Sequence, residues 1–329
     1  MYRGVRFHRW LQRALVAIAA VAVVEADAAF GSRTAEERAR ALGELRDVAP
    51  EFRVLLSPDE DFELIRMPEP GDWLDRHVEA GQTFEEFRVM QRNQPDGVRG
   101  TIYLLPLGEF EEGSSPALRE VAAYAAAFFQ LKVKVLPAYV PGAIEFDPRV
   151  NPQTKQVQVH AGRVLAFLKT RLPEDAFCVL GITMRDLYPK ASWNYVFGQA
   201  SLRERVGVYS FARYDPDFFE EERPDDWRRT MLRRSCKVLA HEGGHMFGLM
   251  HCIYYDCMLN GSNHLAEADA KPMHLCPVCL RKLQHSVGFD PVRRYRELAR
   301  FYRKQKWITE AEWCERQGEK AERVVEGGK

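Results

Sequence analysis

An α/β (α+β) fold is what this sequence predicts: a mixed twisted sheet, one long helix set against it, and a C-terminal subdomain tied together by cysteines. Three observations carry that expectation. Short apolar runs recur between residues 101 and 211 with helical stretches between them, the pattern of strands and covering helices in one sheet. A helix-patterned segment then ends in His241-Glu242-Gly243-Gly244-His245-Met246-Phe247-Gly248-Leu249-Met250-His251. Directly after it, the cysteine pairs Cys252/Cys257 and Cys276/Cys279 fall within 28 residues.

A chain of 329 residues can bury a full core and makes one large or two modest domains. Arg3, Arg6, Arg9 and Arg13 precede the apolar run 14–24, and Ala26-Asp27-Ala28 follows, so residues 1–28 have the layout of a signal peptide. The run is too short for a comfortable membrane span, and the other reading is an Ala-rich helix packed on the domain. Residues 29–99 form a pre-domain. A polar helix is predicted over 31–52, opened by the capping pattern Thr34-Ala35-Glu36-Glu37. Residues 53–96 read as irregular and carry no motif with chemistry.

The main domain is expected over 100–290. Its elements begin with a strand over Thr101–Leu107, a helix over 116–130 with a buried face, and an alternating strand over 131–136. Four prolines mark 137–156 as a long loop. Residues 157–160 make a short strand or lead directly into a helix over 161–171. Ala176–Thr183 is apolar without a break, which fits a central strand buried on both faces. Asp186 reads as a turn residue, Trp193–Ala200 as an edge strand and Val206–Phe211 as a further strand. Pro224 opens a helix whose apolar side is Trp227, Met231, Leu232, Cys236, Val238 and Leu239. Gly243 and Gly244 each cost about 1 kcal/mol inside a helix relative to Ala, so two in a row imply close packing against a neighbour. A helix continues from Leu280 to His285. A charged helix over 291–317 is expected on the outside, with a mobile tail to Lys329.

The histidine stretch has the spacing H-E-x-x-H-x-x-G-x-x-H. His241 and His245 are four apart, so on a helix they project from one face and can reach one ion. Glu242, beside the first ligand, can take the proton of a metal-bound water. Gly248 lets the helix stop at a backbone angle closed to most side chains, after which His251 can swing back as a third ligand. Three protein ligands leave the fourth position of a zinc ion open, the mark of a catalytic site. The bland alternative is an amphipathic helix that happens to carry two histidines. The four cysteines form a structural zinc pattern. Their alternatives are two disulfides or reduced packing cysteines. His264, His274 and His285 are not assigned to metal, and Cys236 and Cys314 read as buried structural or spare cysteines.

The joined pattern from His241 through Cys279 resembles the archaemetzincins, a branch of the metzincin metallopeptidases with an added four-cysteine zinc site. The likeness extends over most of residues 100–300, including Phe177–Thr183 and Trp193–Ala200, and the length and layout are similar to those of the animal archaemetzincins. The resemblance implies a metzincin-like zincin fold and zinc-dependent hydrolysis of peptide bonds, as a metalloendopeptidase or aminopeptidase. It implies two Zn(2+) per chain. One is held by His241, His245 and His251 with Glu242 as base, the other by Cys252, Cys257, Cys276 and Cys279. It also implies that an extended peptide pairs with the edge strand above the zinc, through Asn194, Val196, Gly198 and Ala200. One departure concerns the methionine under the three histidines. In the family it usually lies two residues after the second cysteine, whereas here Met258 follows Cys257 at once and Leu259 fills the usual place. Counting back 17 residues from Cys276 favours Met258.

Lys plus Arg and Asp plus Glu both number 47, so there is no global electrostatic case for a nucleic-acid partner. A peptide or protein substrate is the expected partner and a monomer the expected state. The N-terminus points to export, while the family resemblance and a set of zinc-bound thiolates point to a reducing, cytoplasmic compartment. No cysteine precedes Cys178, so the chain carries no cysteine-switch segment. The competing functional reading is a non-enzymatic zinc-braced module that binds other proteins; the presence of Glu242 favours the enzyme.

Overall fold

The computed structural model describes residues 33–58, 61–142 and 144–327. The signal-like stretch 1–28 lies outside them. Thr34 opens the first helix, α1 (Ala35–Leu42). Its hydroxyl accepts from the Glu37 amide at 3.1 Å, and the Glu37 carboxylate accepts from the Thr34 amide at 2.7 Å, the reciprocal cap that the sequence predicts. The helix does not run on to residue 52. Gly43 ends it at φ +73°, a conformation that strains a side chain, and a separate turn, α2 (Pro50–Arg53), begins only at Pro50. Two further short helices, α3 (Trp73–Arg76) and α4 (Phe84–Val89), complete the N-terminal segment.

From residue 101 the apolar runs become strands. In chain order come β1 (Thr101–Leu107), α5 (Leu118–Phe129), β2 (Lys132–Val135), β3 (Arg149–Val150), β4 (Val157–His160) and α6 (Ala161–Lys169). β5 (Ala176–Thr183), β6 (Asp186–Tyr188), β7 (Gly198–Ser201) and β8 (Val206–Ser210) follow. The main sheet has the order β2-β1-β5-β8-β7, parallel throughout except for β7, which runs antiparallel at one edge. β1, β5 and β8 are buried along their whole length because both faces are covered. The two-residue period shows in what each face touches. Ile102 and Leu104 join the larger core with α5, while Tyr103, Leu105 and Leu107 join the smaller core with Val164 and Leu168 of α6.

A second, small sheet of β3, β4 and β6 occupies part of the region that reads as a proline-rich loop. Asp186, predicted to be a turn residue, is buried in it. Its carboxylate accepts from Arg213 Nε and Nη2 at 2.8 Å each, and from Gln158 Nε2 at 2.8 Å. A buried carboxylate has to be paired, and its partner lies 27 residues away, beyond any local reading.

The long helix, α7 (Trp227–Met246), starts at Trp227 and not at Pro224, whose carbonyl receives the Trp227 amide at 3.0 Å. It buries Met231, Cys236 and Leu239 and packs against α5. After α8 (Leu265–Ala270) and α9 (Pro277–Val287), the charged stretch expected as one outer helix is two: α10 (Pro291–Lys304) and α11 (Ile308–Gly327). They fold back on each other through Lys306, at φ +58°, with the Trp307 amide on the Tyr302 carbonyl at 2.9 Å. They are part of the core, not an outer layer. Tyr295 and Tyr302 are buried, and so is Arg294, whose Nε donates to the Phe128 carbonyl at 2.8 Å. The predicted mobile tail is helical as far as Gly327. One continuous apolar core runs from Ala41 and Phe52 through α5 and α7 to Tyr302 and Trp313. Among the described residues no helix is long and apolar enough to cross a membrane.

Candidate metal centre

The C-terminal turns of α7 carry His241 and His245 on one face. Gly243 and Gly244 sit where the helix meets its neighbours. A Cβ on Gly243 would lie 2.5 Å from the Phe129 ring, and one on Gly244 would lie 3.0 Å from Leu259 Cδ1. The pair of glycines is therefore a matter of close approach, as its sequence implies. The helix ends at Met246, and Gly248 turns the chain at φ +88°, its amide on the His245 carbonyl at 2.8 Å. That turn brings His251 back to the other two. The ring centroids of His241, His245 and His251 stand 4.8, 5.2 and 5.1 Å apart, close to an equilateral triangle.

Each ring has its Nδ1 tied to an oxygen. His241 Nδ1 is 3.0 Å from the Met258 carbonyl, His245 Nδ1 is 2.6 Å from the Leu249 carbonyl, and His251 Nδ1 is 2.7 Å from Glu79 Oε1. Carbonyls and carboxylates only accept, so Nδ1 carries the proton on each ring and the Nε2 lone pairs are left free. Those of His241 and His245 lie 3.2 Å apart. Tetrahedral zinc with Zn–N bonds of about 2.0–2.1 Å needs ligand nitrogens about 3.4 Å apart, so the donor set fits the ion. Burial holds the His241 imidazole well below its ordinary pKa and that of His245 down at about 4, so both rings are neutral at physiological pH.

Glu242 faces a cavity of about 80 Å³ lined by Phe197, Tyr214, Val238, His241, Leu265 and Ala268. Burial pushes its carboxyl up to about 7, against the opposing pull of His251 and Lys271. Lys271 is itself buried and donates to the Asn260 carbonyl at 2.7 Å.

The four cysteines come together in the next layer. Cys252 and Cys257 lie in the loop after α7; Cys276 is the N-cap residue of α9, and Cys279 is in its first turn. All four sulfurs lie within 4.8 Å of one another, with Cys252 and Cys276 at 3.5 Å. A tetrahedral zinc–sulfur site with bonds of about 2.3 Å has edges of about 3.8 Å, so this donor set fits a closed structural site. All seven cysteines are free thiols, and the alternative of two disulfides is not taken up. Burial raises the thiols of Cys257 and Cys276. Cys252 is held low despite its burial, by hydrogen bonds from the neighbouring cysteines. Asn260 fixes the loop. Its Oδ1 accepts from the Cys257 amide at 2.7 Å, and its Nδ2 donates to the Cys252 and Tyr255 carbonyls at 2.8 and 3.0 Å.

The departure at Met258 and Leu259 resolves into two jobs. Met258 holds His241 through its carbonyl, and Leu259 lays its side chain against Gly244 between the two helical histidines. Both residues are fully buried.

The edge-strand residues separate into two groups. The Ser210 amide donates to the Phe197 carbonyl at 2.8 Å, and Gly198 stands opposite Tyr209. By the alternation of an antiparallel ladder, Gly198 and Ala200 then direct their N–H and C=O groups to the open edge. Asn194 and Val196 do not belong to that edge. The Asn194 carbonyl already accepts from Gln158 Nε2 at 2.8 Å and Arg149 Nη2 at 2.9 Å, and the Val196 amide is on the Leu187 carbonyl at 3.0 Å. The Asn194 carbonyl and the Val196 amide are taken up by residues of the small sheet, which the sequence does not reveal.

Reasoning from sequence also misses the N-terminal contribution. Residues 53–96, read as free of chemistry, bring Trp73, Glu79 and Gln82 against the third histidine and its turn. The contacts span 166 to 178 residues, and no local pattern announces them. Of the remaining histidines, His264 pairs with Asp72 at 3.0 Å and caps α8, His274 stacks on Trp313 at 4.0 Å, and His285 packs on Phe84. None of the three joins the three-histidine or four-cysteine group, although Asp72, His264 and Glu267 form a half-buried group of their own, with His264 exposed.

Comparison with known proteins places these residues in context. Residues 149–285 match peptidase family M54. The chain is 43% identical over 267 residues to Archaemetzincin-2 of Pongo abelii, covering 73% of this chain and 74% of that protein. With Archaemetzincin-2 of Homo sapiens the identity is 42% over 267 residues, with the same coverage of 73% and 74%. Among solved structures, the archaemetzincin of Methanopyrus kandleri is 30% identical and covers 58% of this chain and 97% of its own, with a TM-score of 0.44.

Proposed function

Since the chain belongs to the archaemetzincins of peptidase family M54 and is a zinc metallopeptidase, we propose that His241, His245 and His251 hold its catalytic zinc and that Glu242 is its base. Cys252, Cys257, Cys276 and Cys279 hold a second, structural zinc. The observation that carries this reading is the set of three rings with Nδ1 tied off and Nε2 free, converging beside a carboxylate that faces an open cleft.

Zinc in such a site supplies Lewis acidity toward the scissile carbonyl and lowers the pKa of water toward neutrality. The chain's own residues do the rest. Gly198 and Ala200 offer outward backbone N–H and C=O groups that pair with an extended peptide and align it along β7. The apolar cavity beside Glu242 takes the side chain next to the cleaved bond. Phe197, Val238, Leu265 and Ala268 line it; of its charged residues, Arg234 and Asp269 pair with Nη2 and Oδ2 at 2.7 Å, and Lys237 and Lys271 donate to main-chain carbonyls. Glu242 takes a proton from the attacking water and later gives it to the leaving amine. A carboxyl poised near 7 suits both directions of that transfer.

Glu242→Gln keeps the ligands and the shape of the site. It is expected to retain both zincs while turnover falls by about 10²–10⁴-fold, the usual weight of a general base. Hydrolysis at the parent rate, with zinc in place, sinks the assignment. A fully metallated parent that captures peptides without cleaving them establishes the binding module instead. Run on N-terminally blocked peptides, the same assay separates endopeptidase from aminopeptidase activity. Charged residues accepted next to the cleaved bond as readily as apolar ones would remove the cavity from the account.

A further inference from the structure

Two of the three histidines are held by main-chain carbonyls close to them in sequence or in the adjoining loop. The third is held differently. His251 Nδ1 meets the side-chain carboxylate of Glu79, which comes from the N-terminal segment 172 residues away. That carboxylate is fixed in turn, because Trp73 Nε1 donates to the same oxygen, Glu79 Oε1, at 2.8 Å. The Trp73 ring also stands edge-on to the His251 ring at 5.0 Å. It is seated over Gly261, where a Cβ would come within 2.3 Å of the indole, and its amide donates to Glu267 Oε1 at 2.9 Å. A few residues further on, Gln82 grips the turn that delivers His251. Its Nε2 donates to the Gly248 carbonyl at 3.1 Å, and its Oε1 accepts from the Met250 amide at 3.2 Å. Lys282 Nζ donates to the Gln82 carbonyl and to its Oε1, which anchors the grip on α9.

From this arrangement we infer that the segment Trp73–Gln82 is a working part of the zinc centre, with Glu79 as the positioning residue that fixes the tautomer and direction of His251. A carboxylate on the far nitrogen of a ligating imidazole holds the ring with Nε2 toward the metal and strengthens it as a donor. Glu79 meets that requirement from outside the histidine motif, so the motif alone does not make a complete centre in this chain. The inference rests on the three-histidine zinc reading above, and the experiment keeps the two apart.

The measurement is metal affinity in the full chain. The three-histidine site is emptied with a chelator while the four-cysteine zinc is retained, and zinc is returned in competition with an indicator of known affinity. Co(II) is then placed in the same site and its visible absorption recorded. Glu79→Ala is expected to bind zinc about 10–100-fold more weakly at that site, with an altered Co(II) spectrum and the cysteine-bound zinc unchanged. Glu79→Gln keeps an acceptor oxygen and the shape of the side chain, so it should recover part of the affinity; it also serves if Glu79→Ala does not fold. Parent affinity and a parent Co(II) spectrum in both variants, or in Glu79→Gln alone where the alanine variant is unfolded, overturn the role of Glu79, even if thermal stability falls. A parent protein with a single zinc, bound by the cysteines, sinks the three-histidine reading itself.

Discussion

The two candidate metal sites sit side by side and are built on opposite plans. The four-cysteine site is closed and local, with every candidate ligand buried and drawn from the loop after α7 and the start of α9. The three-histidine site is open to a cleft, and its orienting groups are the Leu249 and Met258 carbonyls of the stretch after α7 and, 172 residues from its histidine, the Glu79 carboxylate of the N-terminal segment. The difference follows from the task. A structural ion needs saturation and nothing more. A catalytic ion needs one side left open, so the ligands cannot rely on a full shell of metal bonds for their direction and must be held from behind.

The strongest test of this contrast sets Cys276→Ala against His245→Ala. A structural zinc is worth about 10–16 kcal/mol in zinc-finger peptides, comparable with the whole stability of a domain at about 5–15 kcal/mol. Loss of the cysteine site should therefore melt the loop that carries Asn260 and Met258, and the histidine site should fail with it, because the Met258 carbonyl holds His241. His245→Ala should lose one zinc and keep the fold. Zinc stoichiometry and thermal unfolding read both. If Cys276→Ala retains the parent melting temperature and the histidine-bound zinc, the two sites are independent and the cysteine site is not the brace of its neighbour.

The same contrast explains what the sequence discloses. The candidate ligands of both sites stand at fixed short spacings, so the convergence of His241, His245 and His251, and of the four cysteines, is legible from pattern alone. Strands such as Thr101–Leu107 and Ala176–Thr183 are legible for a related reason, since burial on both faces forces an unbroken apolar run. What stays hidden is whatever depends on a distant partner. Glu79 looks like one acid among many in a polar stretch. Asp186 looks like a turn residue until Arg213 arrives beside it. The charged helix over 291–317 conceals its break and its burial, because Arg294 enters the core only on finding the Phe128 carbonyl. Asn194 resembles an edge-strand residue, and its carbonyl is claimed by Gln158 and Arg149.

A smaller effect separates the two glycines between the helical histidines. Gly243 faces the Phe129 ring, a member of the stack of Phe129, Phe247 and Phe177 with centroids 5.3 and 4.4 Å apart. An added methyl meets aromatic carbon at 2.5 Å, and the stack leaves the ring no easy retreat. Overpacking of this kind costs about 1–3 kcal/mol, more than the gain of about 1 kcal/mol from helix propensity. Gly244 faces only the end of Leu259, at 3.0 Å, which can turn aside. Gly243→Ala should lower the melting temperature, while Gly244→Ala should leave it nearly unchanged. Equal loss in the two variants would mean that close approach to Phe129 is not what requires the glycine.

The mildest expected effect lies at β7, the edge proposed to align the substrate. Ala200 directs its N–H away from β8, and Gln199 directs its own toward Val208. Proline removes that N–H, and on an edge strand it is tolerated where the missing group would have faced solvent. Ala200→Pro should therefore leave the sheet paired and the zinc bound. A peptide deprived of one backbone hydrogen bond, worth about 0.5–1.5 kcal/mol, should show KM raised about two- to twelve-fold with little change in kcat. Gln199→Pro removes a bond inside the sheet and should act on stability first. Steady-state kinetics on a peptide of several residues, beside thermal unfolding, distinguishes them. An Ala200→Pro enzyme with parent KM for such a peptide would show that substrate does not lie along β7, and the opening of the histidine site would then have to face elsewhere.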